Sequence, residues 1–223
     1  MRDTLKFGAL LLLLAAYGCA SPAGITGSID MRAPASAFAQ GAPMPDSRAM
    51  PDSHAEAPPP AGFVSFCLRF PDQCMTSKNT PAVVALSGAQ WLALQEVNRA
   101  VNLAIKPMDD QRHYGRAEYW NIPTDGFGDC EDYALTKRRD LIAAGFPAQA
   151  LRLAVVLTSH NESHAILTVA TDHGDYVLDN LTNSIQSWDQ TGYQWVERQD
   201  PAKAWGWVSL DPTRNPALVA SIN

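Results

Sequence analysis

The chain has 223 residues, a formal net charge of −6 and an apolar fraction of 46%. These bounds suit one modest globular domain plus a tail. The charge balance contains no cluster of Lys and Arg, which excludes nucleic acid as the expected partner.

At the N-terminus Arg2 and Lys6 precede an apolar run from Phe7 to Ala16, and Tyr17-Gly18-Cys19-Ala20 follows. A charged start, an apolar core of ~10 residues and small residues after it are the pattern of a secretory signal, here 1–20. The run is too short for a spanning helix, which needs ~20 residues. Cys19 behind Gly18 points to a lipoprotein signal. Ala16, where a larger aliphatic residue is usual, points as much to ordinary cleavage after Ala20. Either reading places the protein in the periplasm or outside the cell, touching a membrane only through a lipid on Cys19.

Residues 21–62 hold eight of the 16 prolines, the tandem hexapeptides Met44-Pro45-Asp46-Ser47-Arg48-Ala49 and Met50-Pro51-Asp52-Ser53-His54-Ala55, and Pro58-Pro59-Pro60. So few large apolar side chains cannot offset the entropy of ordering, and the stretch reads as a disordered tether. The folded domain is expected over 63–223. Phe63 to Thr80 reads as a loop that Cys67 and Cys74 can staple, since export permits disulfides. With Cys19 lipidated or removed, Cys130 is the odd thiol.

Ala82 to Leu86 reads as a short strand or extended lead-in. Ser87 with Gln90 three residues later forms a capping box for a helix. Trp91, Leu94, Val97, Val101 and Ile105 mark its buried stripe, and Pro107 ends it. Asn98 and Asn102 fall one turn apart on what reads as the solvated face; the alternative is that they bond an active-site loop. Residues 108–127 read as a long irregular segment, and such loops are usually functional. Trp120 within it either lines a cleft or covers the core.

The most informative stretch is Gly126-Phe127-Gly128-Asp129-Cys130-Glu131-Asp132-Tyr133-Ala134. Ala134, Leu135, Arg138, Leu141 and Ile142 have helical spacing, and Gly145 closes the run. Cys130 therefore falls in the first turn of a helix, where free N–H groups and the positive dipole end favour a thiolate and an oxyanion. Leu151 to Leu157 reads as a central strand. Ser163 to Val169 reads as a strand with His164 at its start, and Tyr176 to Asn180 as the next, with Asp179 at its end. Asp172-His173-Gly174-Asp175 is the turn between them. Gln194 to Val196 and Trp205 to Val208 read as further strands. Helices first and strands after indicate an α+β domain with N-terminal helices packed on an antiparallel sheet. The order Cys, His, Asp on helix, strand and strand is that of a papain/transglutaminase-like core. It makes Cys130 the candidate nucleophile, His164 the base and Asp179 its orienter, with His160 as the weaker rival base.

Tyr114-Gly115, Glu118-Tyr119-Trp120, Gly128 to Ala134, His164-Ala165 and Val177 to Leu181 together resemble the bacterial transglutaminase-like cysteine proteinases, whose best-known members are LapG-type periplasmic proteases. The resemblance spans about 66–210. It implies a cysteine peptidase acting on a protein substrate such as a large surface adhesin, and an inner-membrane regulatory receptor as a partner. It also bears on Asp129, Glu131 and Asp132. Beside a thiolate these acids raise its pKa, which a bound cation offsets. Oxygen-rich clusters suit Ca²⁺, and the resemblance implies calcium beside the cysteine, with further ligands from Asp109, Asp110 or backbone carbonyls. A transglutaminase or amidase using the same triad, and a tethered binding domain that keeps the fold, are the other two readings.

Overall fold

The computed structural model describes residues 42–51, 53, 55–75, 80–211 and 213. The signal segment and the first half of the expected tether lie outside them. In chain order the elements are β1 (Glu56–Ala57), α1 (Ala61–Arg69), α2 (Gly88–Ala104), β2 (Lys106–Pro107), α3 (Asp110–Tyr114), β3 (Phe127–Gly128), α4 (Cys130–Ala143), β4 (Leu151–Leu157), β5 (Ser163–Thr171), β6 (Gly174–Leu178), β7 (Gln186–Ser187), β8 (Gln194–Gln199) and β9 (Trp207–Ser209). One antiparallel sheet runs β1-β9-β8-β4-β5-β6-β7, and β2 pairs with β3 in parallel apart from it.

The period-two pattern of the central strands divides the core. Leu153, Val155, Leu167, Val169, Tyr176 and Leu178 face the helices and meet Phe63 and Phe66 of α1, Trp91 and Leu94 of α2, and Leu135 and Leu141 of α4. Ala154, Val156, Ile166 and Val177 face the other way, under Trp188, Tyr193 and Trp195. Both faces of β4 are thus covered, which is why its sequence is a continuous apolar run. α4 packs against both β5 and α2. Enclosure on two sides buries even its polar residues Glu131, Asp132, Thr136, Lys137 and Arg138. Arg138 ties this helix to the start of β4 and to the disulfide loop, donating to the carbonyls of Leu151 at 3.1 Å and Gln73 at 2.7 Å.

The Ser87 capping box forms, with Gln90 N–H donating to Ser87 Oγ at 3.3 Å and Ser87 N–H to Gln90 Oε1 at 2.9 Å. Cys67 and Cys74 form a disulfide. Two expectations change. The stapled segment is not all loop: Phe63, Phe66 and Cys67 recur at helical spacing, all buried, and build α1. The expected tether is packed over its described part. Ser47 Oγ donates to the Asp175 carbonyl at 2.8 Å, Met50 N–H donates to Asp175 Oδ2 at 2.5 Å, and β1 pairs with β9. Met50 is only 5% exposed. Average composition hid this, because two methionines and one serine at the right spacing suffice to hold a segment on a sheet.

Candidate active site

Three pieces of local structure bring the site together. The first is the approach to α4. The amide of Lys106 donates to the Gly126 carbonyl at 2.8 Å and that of Met108 to Gly128 at 3.0 Å, which aligns β3 beside β2. Gly126 has φ +82°, a conformation glycine adopts without steric cost. Gly128 is required for space, since a Cβ there would sit 2.5 Å from Asp132 Oδ2. Cys130 is then the first residue of α4, as its spacing predicts.

The second piece is the β5–β6 hairpin. It pairs Leu167 with Leu178, so Asp179, just past β6, falls opposite Ile166, the next residue after His164 on the same face of β5, and the two side chains meet diagonally. His164 Nε2 and Asp179 Oδ1 are 2.9 Å apart, and both residues are buried. Burial alone would raise the pKa of Asp179, but hydrogen bonds and charge from His164, the Leu181 N–H and the Tyr193 hydroxyl outweigh it and hold the carboxyl below its usual value. An ionised carboxylate only accepts, so Nε2 carries the imidazole proton and Nδ1 is the basic nitrogen.

The third piece joins the other two. The N–H of Ala165, the residue after His164, donates to Cys130 Sγ at 3.3 Å. The thiol in turn donates to Glu131 Oε2 at 3.2 Å. Its pKa lies well above the usual value, raised by burial first and then by Glu131 and Asp129. This overrides the lowering expected from the dipole and has the direction expected from the flanking acids. A helix N-terminus contributes under ~1 kcal/mol in most settings, less than burial beside two carboxyls.

Asp110, Asp129 and Glu131 bring one oxygen each to within 4.8 Å of one another. Asp110 Oδ1, Asp129 Oδ1 and Glu131 Oε1 are buried without a hydrogen-bond partner. Burial and then Asp129 push Asp110 up to about 6 and Glu131 well above its usual range. Crowded, desolvated carboxyls with orphaned oxygens are the donor set a hard divalent cation takes. Of the three acids expected from sequence, Asp132 stands outside this group. Its Oδ1 accepts the Asn121 N–H at 2.7 Å and so pins the loop before α4. Asp110, foreseen only as a supplementary ligand, takes its place, and Asp109 instead caps α3 by accepting from Arg112 N–H at 2.9 Å.

Trp120 fulfils both of its readings, being buried and lining a small cleft with Glu118, Cys130, Glu131, Ser163 and Ala165. His160 lies exposed in the turn before β5. Asn98 and Asn102 do not face solvent as expected by default. Asn102 Nδ2 donates to the Asp179 carbonyl at 2.9 Å, and Asn98 Nδ2 to those of Thr182 at 3.3 Å and Asn183 at 3.2 Å. They hold the loop that carries Asp179. Sequence reading passed over Tyr193, whose hydroxyl donates to Asp179 Oδ2 at 2.5 Å; no spacing in the segment before β8 announces a bond to a residue fourteen positions earlier. A larger cavity of about 470 Å³, lined by Met50, Trp188, Trp195 and Leu210 among others, contains none of these groups.

A half-buried thiol at a helix start, bonded to the backbone next to a buried His–Asp pair on a strand hairpin, is an arrangement suited to thiol hydrolases. The description "bacterial transglutaminase-like cysteine proteinase" matches residues 53–215, so the chain belongs to that family and is a cysteine peptidase. Among solved structures it is similar to calcium-bound LapG of Legionella pneumophila, at 24% identity and a TM-score of 0.46, covering 53% of this chain and 68% of that one. The EGTA-treated form of LapG is 25% identical with a TM-score of 0.47, covering 56% and 69%. No curated protein matches the chain.

Proposed function

We propose that the protein is an exported cysteine endopeptidase that cuts a surface or periplasmic protein through an acyl-thioester on Cys130. The observation that carries this reading is the chain of contacts from the Cys130 sulfur to the backbone of Ala165, beside the His164 imidazole that Asp179 orients. In the first step the sulfur attacks the scissile carbonyl carbon, and the thiol proton passes to His164 Nδ1. The same proton then goes to the leaving amine nitrogen as the C–N bond breaks and the thioester remains. Water adds to the thioester, giving its proton to His164, and the thiol leaves, releasing a carboxylate. Asp179 keeps the imidazole in one tautomer throughout. The free N–H groups at the start of α4 are available to the oxyanion.

Asp110, Asp129 and Glu131 would hold a calcium ion, which when bound supplies positive charge beside the thiol. Glu131 would offer the cation its unpartnered Oε1, and the added positive charge would offset the carboxylates that favour the protonated thiol. A large surface adhesin as substrate, an inner-membrane receptor as regulator, and a periplasmic or secreted location, reached either with a lipid on Cys19 or by cleavage after Ala20, complete the proposal. Among the described residues no helix is long and apolar enough to cross a membrane.

The test compares the wild type with Cys130→Ala on a surface-protein preparation from the producing bacterium, with calcium. New N-termini should appear only with the wild type, and in H₂¹⁸O each new carboxylate should gain one ¹⁸O. Incorporation of a fluorescent amine in place of water would instead assign the thioester to transamidation. Cleavage that persists in Cys130→Ala removes the nucleophile assignment.

A further inference from the structure

Lys137 lies on α4 two helical turns beyond Cys130. Its side chain is wholly buried, and its Nζ has no hydrogen-bond partner. An ammonium group in that position carries a large desolvation cost unless it is compensated. Burial lowers its pKa to about 7, and the charge that acts against this is Asp179. The loop that follows Asp179 holds the complementary defect. Asn98 Oδ1, Asn102 Oδ1 and Asn180 Oδ1 are buried acceptors that also lack partners. The amide nitrogens of Asn98 and Asn102 already grip the loop through the carbonyls of Asp179, Thr182 and Asn183. α2, which carries both asparagines, packs on α4, and Tyr133, one turn before Lys137, clusters with Val101 and Ile105 of α2. An orphan donor with three hydrogens on α4, 5.9 Å from the centre of the Tyr133 ring that packs on α2, thus faces the helix that carries two of the three orphan acceptors, and the third lies on the loop those two hold. Buried polar groups in native proteins are very largely satisfied, by protein or by ordered water.

We propose that Lys137 is a positioning residue, whose amine donates to the Asn98, Asn102 and Asn180 amide oxygens, directly or through bound water, and thereby fixes the loop that sets Asp179 against His164. The proposal rests on the reading of Asp179 as the orienter of His164. It explains a buried lysine that forms no ion pair among the described residues. Its role lies in placing a second residue, so its loss should disturb geometry at the reacting centre without disturbing substrate affinity.

The experiment uses the full mature chain with calcium and reads three quantities for Lys137→Met: kcat against KM on a protein substrate, the rate of Cys130 alkylation by iodoacetamide, and the melting temperature. An apolar side chain of equal length removes the desolvation cost of the amine but leaves the three amide oxygens without their donor, so the melting temperature should fall only modestly. kcat and the alkylation rate should fall roughly 10- to 100-fold, the scale set by misplacement of about an ångström, with KM little changed. In an Asp179→Asn background Lys137→Met should add almost nothing, because both act through one group. Lys137→Gln, which can still donate, should recover part of the loss, and it carries the test if Lys137→Met does not fold. Unchanged kcat and alkylation, or losses that multiply with those of Asp179→Asn, would overturn the assignment. So would a drop in melting temperature with kinetics intact. If the wild type cleaves no protein, alkylation still reads the role of Lys137, and only the peptidase proposal falls.

Discussion

Tyr193 and Asp179 are joined by a 2.5 Å hydrogen bond, and the Tyr193 ring stands edge-on to His164 with 5.7 Å between centroids. One side chain from the segment before β8 thus touches both members of the His–Asp pair. The carboxylate pushes the Tyr193 phenol the other way, its pKa raised by burial first and by Asp179 next. The hydroxyl is therefore a donor at all working pH values. Removing it with Tyr193→Phe takes away a hydrogen bond to a charged group, which contributes about 1.5–3 kcal/mol. We expect a stability loss of that size by urea unfolding. We also expect kcat to fall about tenfold, since ~1.4 kcal/mol of lost transition-state stabilisation has that effect. Equal activity in Tyr193→Phe would make the tyrosine only a cover for the imidazole.

Asp179 also gives the protein an acid-sensitive component of stability. Its pKa is lower in the fold than the ordinary 3.8. A group depressed in the folded state stabilises above its unfolded value and loses that contribution as the pH falls through the folded value. The wild type should therefore lose stability below about pH 4, and Asp179→Asn should lose less over the same range. Urea midpoints measured from about pH 2 to 6 check this. Parallel curves for the two proteins would mean that other carboxylates dominate acid unfolding.

Much of this architecture is legible in the sequence because it rests on local patterns. The capping box at Ser87, the apolar run of β4, and the glycines before Cys130 each state their structure within a few residues. The juxtaposition of His164 and Asp179 follows from a hairpin, which is a local rule as well. What the sequence hides is set by contacts between distant segments. Asn98 and Asn102 look like a solvated helix face until the 179–183 loop lies on them. Asp110 joins Asp129 and Glu131 only through the path of the loop between α3 and α4. The larger part of the rise at the Cys130 thiol follows from burial, which no spacing encodes, whereas the part from Glu131 and Asp129 is legible in the adjacent residues.

The disulfide joins residues seven apart, Cys67 and Cys74, both buried in the core that α1 contributes to. Chain-entropy reasoning for so short a loop gives about 2.5 kcal/mol. Cys67→Ser and Cys74→Ser should each lower stability by roughly that amount, and by slightly more at Cys67, where a buried hydroxyl replaces a fully covered sulfur. Each variant should gain one titratable thiol besides Cys130. Denaturant melts combined with thiol counting give both numbers. A variant with no new thiol would show that the freed cysteine had paired elsewhere.

The acid group gives a pH response of opposite sign, and calcium should erase it. Asp110 rises from its ordinary 3.8 to about 6 because burial and then Asp129 oppose its ionisation. Asp129 is raised by burial, and Glu131 by burial and then by Asp129. These groups bind protons more tightly in the fold than in the unfolded chain. The metal-free protein therefore becomes less stable as pH rises through the unfolded carboxyl values near 4, and the penalty from Asp110 is fully present above about 6. A divalent cation on the same oxygens replaces those protons, so the loss should vanish when calcium is saturating. We expect chelator-stripped protein in metal-free buffer to melt at a lower temperature at about pH 6.5 than at about pH 4.5. Calcium should raise the melting temperature at the higher pH far more than at the lower one. Mg²⁺ should restore less, since it is reluctant to exchange its waters for an all-protein cage. Cys130 alkylation at neutral pH should accelerate with calcium, because the carboxyls that hold the thiol protonated are neutralised. Asp110→Asn and Glu131→Gln should each weaken calcium binding in calorimetric titration, whereas Asp132→Asn should leave its heat largely intact while loosening the loop at Asn121. A stripped protein that shows no calcium heat and alkylates as fast as the loaded one would leave the three carboxyls as a proton-holding cluster and not a metal site.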